Sequence, residues 1–207
     1  EWKKSCYDAA YKLVEHQFDS TARTVKAAFD FMPEKVTNNQ IVIDATDKFC
    51  SWIEASWSSS LSVLGGPALF LPIQAFAGSA EARRILKVEK LHRAAPMEVA
   101  NNVAWDFMYF AHREISYLSD QYRNDVFCTA DESLADLLKM KLHTGPRFST
   151  EVLKAGFDLP TSGHFYPLPS GRIDDSGKLA KALEERITRM WTLCSTDPNA
   201  VSHGLVR

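Results

Sequence analysis

Residues 55–80 form a stretch without a single acidic, basic or histidine side chain. A stretch of this kind either crosses a membrane or is buried in a protein core, because exposing so much apolar surface to water is unfavourable. The Gly-Gly-Pro sequence at 65–67 and Pro72 interrupt it, and interior prolines disfavour an unbroken spanning helix. We therefore predict a short buried strand at residues 68–71, in a domain that does not enter the membrane.

The composition is that of a globular protein without a strong overall charge. Of 207 residues, 45% are hydrophobic and 24% are charged, with a formal net charge of −2. Contact with nucleic acid would therefore require a local basic patch. The four cysteines contain no C-x-x-C pair, which favours reduced thiols in a cytoplasmic protein over a zinc ribbon or a disulfide framework. Because the chain begins with Glu1, we expect partner domains in a longer parent protein.

Short apolar runs alternate with segments of helical periodicity. The strand candidates are residues 41–43, 68–71 and 126–128, and the helix candidates are residues 2–32, 49–57, 79–91 and 96–118, a helix from about 131, and 178–194. Because crossover helices connect parallel strands, we predict an α/β fold, a three-layer and mainly parallel sheet with helices on both faces. The predicted organisation is a helical extension at 1–40, an α/β core at 41–150, and at 151–207 an irregular segment and C-terminal helix packing on the core.

Two aspartates follow strand candidates directly. Asp44 comes after residues 41–43, and Asp131 follows residues 126–128 closely. Since ligands gather at the carboxyl ends of parallel strands, these two acids could face one crevice. The alternative for each is an ordinary helix N-cap, a position that aspartate favours.

Two further acids lie in predicted helices. Asp106 is surrounded by aromatic residues, and a carboxylate buried there must be ion-paired, hydrogen-bonded or bound to a metal. The alternatives are a salt bridge to Arg113 or a polar stripe shared with Asn102. Glu81 falls in the first turn of a helix, where an acid also simply complements the helix dipole. Together the four carboxylates are typical ligands for a hard divalent cation.

The arrangement resembles the PIN-like family of metal-dependent nucleases. The matching segments are Ile-Val-Ile-Asp44-Ala-Thr46, Glu81 in Gly-Ser-Ala-Glu-Ala-Arg-Arg, Asp106 in Asn-Asn-Val-Ala-Trp-Asp, and Val-Phe-Cys-Thr129-Ala-Asp131. They span about residues 41–140. Glu89 and Glu98 are alternatives to Glu81, because the interval from Glu81 to Asp106 is short for the family.

The resemblance implies phosphodiester hydrolysis, with RNA as the substrate class and Mg²⁺ or Mn²⁺ activating a water. It assigns Asp44, Asp106 and Asp131 as metal ligands and places Glu81 near the attacking water. The remaining implied residues would orient ligands or bind the substrate backbone, and they are Thr46, Thr129, Arg83, Arg84 and Lys87. The basic residues are equally compatible with a solvated helix face.

Two other functions are compatible with the same sequence. In a non-catalytic interaction domain, Asp44, Asp106 and Asp131 would be scattered or ion-paired. A phosphatase-like domain is suggested by Asp44 at the end of a strand candidate and by the acidic pair 174–175. In that case Thr46 stands where such enzymes carry a second aspartate.

Overall fold

The computed structural model describes residues 2–57, 66–118, 129–139 and 178–196, together with Ser59 and Leu61. Within these residues the chain is helical and contains no β-strand. The helices are α1 (Trp2–Asp30), α2 (Asn39–Ser56), α3 (Gly66–Phe76), α4 (Ala80–Ile85), α5 (Pro96–Leu118), α6 (Glu132–Lys139) and α7 (Lys178–Thr196), with a 3-10 helix at Val88–His92.

The predicted α/β fold is therefore wrong. Residues 41–43 lie in α2 and residues 68–71 lie in α3, while residues 126–128 fall outside the described part of the chain. The strand predictions at 41–43 and 68–71 are wrong for the same reason. A run of three or four apolar residues fits a buried strand and the buried side of a helix equally well, so the run alone does not decide between them.

Asn38 determines where α2 begins. Its backbone is extended, and its side-chain oxygen accepts a hydrogen bond from the amide of Ile41 at 3.1 Å, which is the geometry of an N-cap. Buried positions then recur at helical spacing, at Val42, Phe49 and Ile53. The β-branched residues of this first turn reduce helix propensity only slightly. The cap and the burial of one face outweigh that cost.

The uncharged stretch of the sequence contains α3, which is buried between two hydrophobic cores. Leu69, Ile73 and Phe76 belong to one core, and Ala68 and Leu71 belong to the other. A helix that is apolar all round is typical of such a central position. Within the described residues, no helix is both long and apolar enough to cross a bilayer.

The two cores are organised by two long-range helix pairs, α1 with α5 and α2 with α7. The α2–α7 core includes Val42, Phe49, Ile53, Leu183 and Ile187. The α1–α5 core includes Val25, Phe29, Val103, Phe107 and Leu137. In this arrangement α1 contributes directly to both cores, since Ala27 and Ala28 belong to the first.

Several predicted helices are confirmed. The helix opened by a proline at residue 96 ends at residue 118 as expected, and α7 buries Leu179, Leu183, Ile187 and Met190 on one side. The predicted helix at 79–91 is interrupted. It divides into α4 and the 3-10 helix, and the interruption lies at Lys87.

Candidate functional site

The interruption after α4 places Lys87 in an unusual backbone conformation. Its φ is 54° and its ψ is 36°, and among the described non-glycine residues it alone has a positive φ. This left-handed conformation costs a residue with a β-carbon about 1–2 kcal/mol. Its amide donates to the carbonyl of Arg84 at 2.9 Å, closing α4 at a position that helices usually fill with glycine. Strain of this kind persists only where surrounding contacts compensate for it.

The ammonium group of Lys87 supplies that compensation. The side chain is 1% exposed, and Nζ donates to Asp131 Oδ2 at 2.9 Å and to Asn102 Oδ1. Nζ also lies 2.8 Å from Asp106 Oδ2 in a buried ion pair. An ammonium has three N–H groups, so three oxygens satisfy it. We refer to Lys87, Asn102, Asp106 and Asp131 as the Lys87 cluster.

Burial and the neighbouring charges shift the pKa of each ionisable residue in the Lys87 cluster. Burial alone would lower the pKa of Lys87, but its contacts with both carboxylates more than offset this and hold that pKa above its ordinary value. Burial raises the pKa of Asp106, although Lys87 opposes the rise. For Asp131, burial is outweighed by the Lys87 contact and by backbone amides, and its pKa is lowered. The ammonium therefore stays charged between its two carboxylates.

Asp131 uses its two carboxylate oxygens for different purposes. Oδ2 accepts from Lys87, while Oδ1 accepts from the amides of Ser133 at 2.9 Å and Leu134 at 3.2 Å. The second set is a helix N-cap, the alternative that the sequence left open for this residue. Thr129 supports the cap from the other side, because its hydroxyl accepts from the Asp131 amide at 3.0 Å.

The Lys87 cluster does not fit a divalent cation. The ammonium already occupies the position between Asp106 and Asp131 where a metal ion would have to lie. In the part of the chain that the structure describes, no three acidic, histidine or cysteine side chains are grouped so that they could hold a metal ion.

The other two predicted acids lie elsewhere and are exposed. Asp44 is on α2 and accepts a hydrogen bond from the Gln40 side chain at 2.7 Å. Glu81 is in the first turn of α4, which is capped by the Ser79 hydroxyl. The described residues contain no parallel sheet whose strand ends would bring Asp44 and Asp131 together, since Asp44 lies on α2 and Asp131 precedes α6.

The predicted substrate-binding residues also lie in different environments. Arg83 donates to the carbonyl of Pro33 at 3.1 Å, and Arg84 is exposed with its carbonyl accepting from Ser133. Lys87 was expected on a basic surface with them, but its side chain is only 1% exposed. Thr46 is fully buried on α2, and among the described residues its hydroxyl has no hydrogen-bond partner.

A second ionic cluster, around Arg186, was not predicted from the sequence. Arg186 on α7 donates to Glu54 Oε1 at 2.6 Å, to Asp47 Oδ1 at 2.5 Å and to the Ser51 hydroxyl at 3.0 Å. These three partners all lie on α2, and we call the four residues the Arg186 cluster. Asp47, Ser51 and Glu54 recur with helical spacing, but nothing in the sequence indicates which distant cation they meet.

Asp47 and Arg186 of this cluster line a cavity of about 370 Å³ between α2 and α7. Its lining is mixed in charge, and the residues are Ile43, Thr46, Asp47, Ala182, Leu183, Glu185, Arg186 and Arg189. Nearby, burial raises the pKa of the Cys50 thiol to about 12. That thiol is therefore protonated at neutral pH and is not a nucleophile.

The outward face of α5 exposes large apolar side chains. Met97, Trp105 and Tyr109 are 44%, 51% and 50% exposed, and they lie at multiples of four residues. Phe18 of α1 packs on Trp105 with ring centroids 4.7 Å apart. We call Met97, Trp105 and Tyr109 the α5 stripe. It lies on the side of α5 opposite Val99, Val103 and Phe107, which are buried.

No family model, no curated protein and no solved structure matches this chain. The resemblance to the PIN-like family is therefore wrong, because that family is built on a parallel sheet and the described residues form helices without a strand. The class that the described fold defines is a helical domain with two cores and two ionic clusters.

Proposed function

We propose that this chain is a non-catalytic helical interaction domain whose binding surface is the α5 stripe. The observation that carries the proposal is the exposure of three large apolar side chains in one row, with Phe18 of α1 packed against Trp105. Tryptophan and tyrosine dominate the binding energy of protein interfaces, because they bury a large area at small entropic cost. About half of each side chain is exposed, and a partner that covers the row would remove this apolar area from water.

The shape of the stripe indicates what it binds. Met97 and Tyr109 are twelve residues apart, which corresponds to about 18 Å along a helix. An amphipathic partner helix of three to four turns matches that length and would align its apolar face along α5. Between the apolar residues, Asn101 and Glu98 are exposed and supply the polar rim.

The carboxylates support the same proposal. Asp106 and Asp131 are engaged with Lys87, and Asp44 is exposed on a different helix. Scattered or ion-paired acids are what an interaction domain was expected to have. Hydrolysis of RNA with Mg²⁺ or Mn²⁺ stays an untested prediction, and no contact among the described residues favours it.

Site-specific crosslinking tests the interaction. A photoreactive benzoylphenylalanine in place of Asn101, within the α5 stripe, should yield discrete crosslinked proteins in the native cell. Mass spectrometry should map the crosslinks to amphipathic helices. Trp105→Ser combined with Tyr109→Ser should remove them, whereas Leu193→Ser should not, since Leu193 is equally exposed but lies on α7. Crosslinks that persist in the double variant would contradict the proposal.

The same preparations distinguish the nuclease alternative. Calorimetric titration with Mn²⁺ and an RNA cleavage assay should show neither binding nor cleavage by the wild-type chain. Metal-dependent cleavage that is lost in Asp44→Asn and Asp131→Asn would instead support the nuclease.

A further inference from the structure

The helix α6 is attached to the domain as a short bound peptide would be. It has 8 residues, fewer than the roughly 12–15 that an isolated helix needs to be even marginally stable in water. Its described anchors are the Asp131 cap, the Ser133 hydroxyl, which donates to the Arg84 carbonyl at 3.3 Å, and two buried leucines, Leu134 and Leu137. Asp131, Leu134 and Leu137 recur every third position and so lie along one side of the helix.

The surface that receives α6 is formed by α4 and α5. Both helices contact α6, and the leucines of α6 share a hydrophobic cluster with Ile85, Val103 and Phe107. At the N-terminal end of α6, the buried ammonium of Lys87 meets Asp131. The α4–α5 groove thus combines an apolar floor with one cationic position at a fixed end.

We infer that the α4–α5 groove is a recognition site for short helices of the pattern Asp-x-x-Leu-x-x-Leu, and that α6 occupies it as an internal ligand. The occupant in trans is a partner helix with an aspartate N-cap and two leucines, the chemistry that α6 itself displays. This site is separate from the α5 stripe, because it uses the inward side of α5. It therefore does not depend on the proposed function.

Lys87 gives the groove its selectivity. Removing Asp131 would leave a buried ammonium with one fewer oxygen, and unpaired buried polar groups discriminate more strongly than lost apolar contacts. A helix that begins with another cap residue would fill the apolar floor but leave Lys87 unsatisfied. Occupancy by α6 also weakens binding in trans, since the apparent dissociation constant rises in inverse proportion to the open fraction.

A peptide comprising residues 129–139 is the probe for this site. Labelled with fluorescein, it should bind the full chain carrying Leu134→Ala and Leu137→Ala about tenfold or more tightly than the wild type, because that variant opens the groove. Asp131→Asn in the peptide should abolish this tighter binding. Glu132→Gln is the matched control, since it removes one exposed carboxylate from the same helical turn and should leave binding unchanged.

Two results would overturn the inference. One is absence of peptide binding to the folded double variant, with folding verified by protected amides in α1 and α5. The other is equal weakening by Asp131→Asn and Glu132→Gln. If the double variant does not fold, hydrogen exchange on the wild type decides, because excess peptide should accelerate exchange of residues 132–139 by displacing α6. Unchanged exchange would then contradict the inference.

Discussion

The Lys87 and Arg186 clusters perform the same task in different environments. Lys87 links Asp106 of α5 to Asp131 at the start of α6, and Arg186 of α7 binds Asp47 and Glu54 of α2, so each cation holds helices together. Lys87 and its partner Asp106 are buried, with side chains 1% and 11% exposed, whereas Asp47 beside Arg186 is 62% exposed. A buried pair is costly to break because the remaining charge cannot reach water, while an exposed one is screened. The clusters should therefore differ in their response to loss of the cation.

The largest effect is expected from Lys87→Met. It leaves Asp106 buried without its cation, so the free energy of unfolding should fall by about 3–5 kcal/mol. Urea denaturation measures this change, and Lys90→Met is the control because Lys90 is exposed in the adjacent 3-10 helix. Adding Asp106→Leu to Lys87→Met should recover much of the loss. A Lys87→Met variant as stable as Lys90→Met would contradict the proposed role of the buried Lys87–Asp106 pair.

Arg186→Met should cost less, about 1–2 kcal/mol. Asp47 and Glu54 keep access to solvent after the arginine is removed, so their charges are largely hydrated. The same denaturation experiment measures it, with Arg189→Met, an exposed position on the same helix, as the control. A loss equal to that of Lys87→Met would mean that burial does not separate the two clusters.

The backbone conformation at position 87 predicts a smaller difference. Lys87→Gly and Lys87→Ala both remove the ammonium, but only glycine adopts a φ of 54° without strain. We expect the glycine variant to be more stable than the alanine variant by about 1 kcal/mol. Equal stabilities would indicate that the turn relaxes when the lysine contacts are lost.

The smallest expected effect is on how steeply the stability of the domain declines in acid. Asp131 has a lowered pKa, so its contribution is present above its ordinary value of 3.8 and is lost as the pH falls through the lower folded pKa. Asp106 has a raised pKa, so its contribution to stability increases as the pH falls through that pKa. Stability measured between pH 5 and pH 2 should therefore decline less steeply in Asp131→Asn and more steeply in Asp106→Asn. Slopes changed in the same direction would contradict these assignments.

Local signals in the sequence identified the long helices correctly. Pro96 opens α5, and the spacing of Leu179, Leu183 and Ile187 identifies the buried side of α7. These features depend on residues close together in sequence. The cap at Asn38 carried the same kind of information for α2, and weighing it against the β-branched run would have predicted a helix there.

The Lys87 cluster was only half predictable. The sequence indicated that a carboxylate at Asp106 needs a partner, and it gave the N-cap as an alternative role for Asp131. The partner itself could not be inferred, because Lys87 lies 44 positions from Asp131 and occupies a backbone conformation that lysine rarely adopts. Tertiary contacts hold Lys87 in this conformation, which no local preference of lysine favours.

The long-range helix pairs have a consequence for how the chain folds. Helical proteins usually fold fast because most of their contacts are local. Here Arg186 meets Asp47 across 139 positions, and α1 pairs with α5 across the intervening α2, α3 and α4. Closing such large loops costs entropy before any contact offsets it. Because α3 contributes to both cores, its full burial requires both helix pairs, and we expect the described domain to fold more slowly than a helical bundle held by local contacts alone.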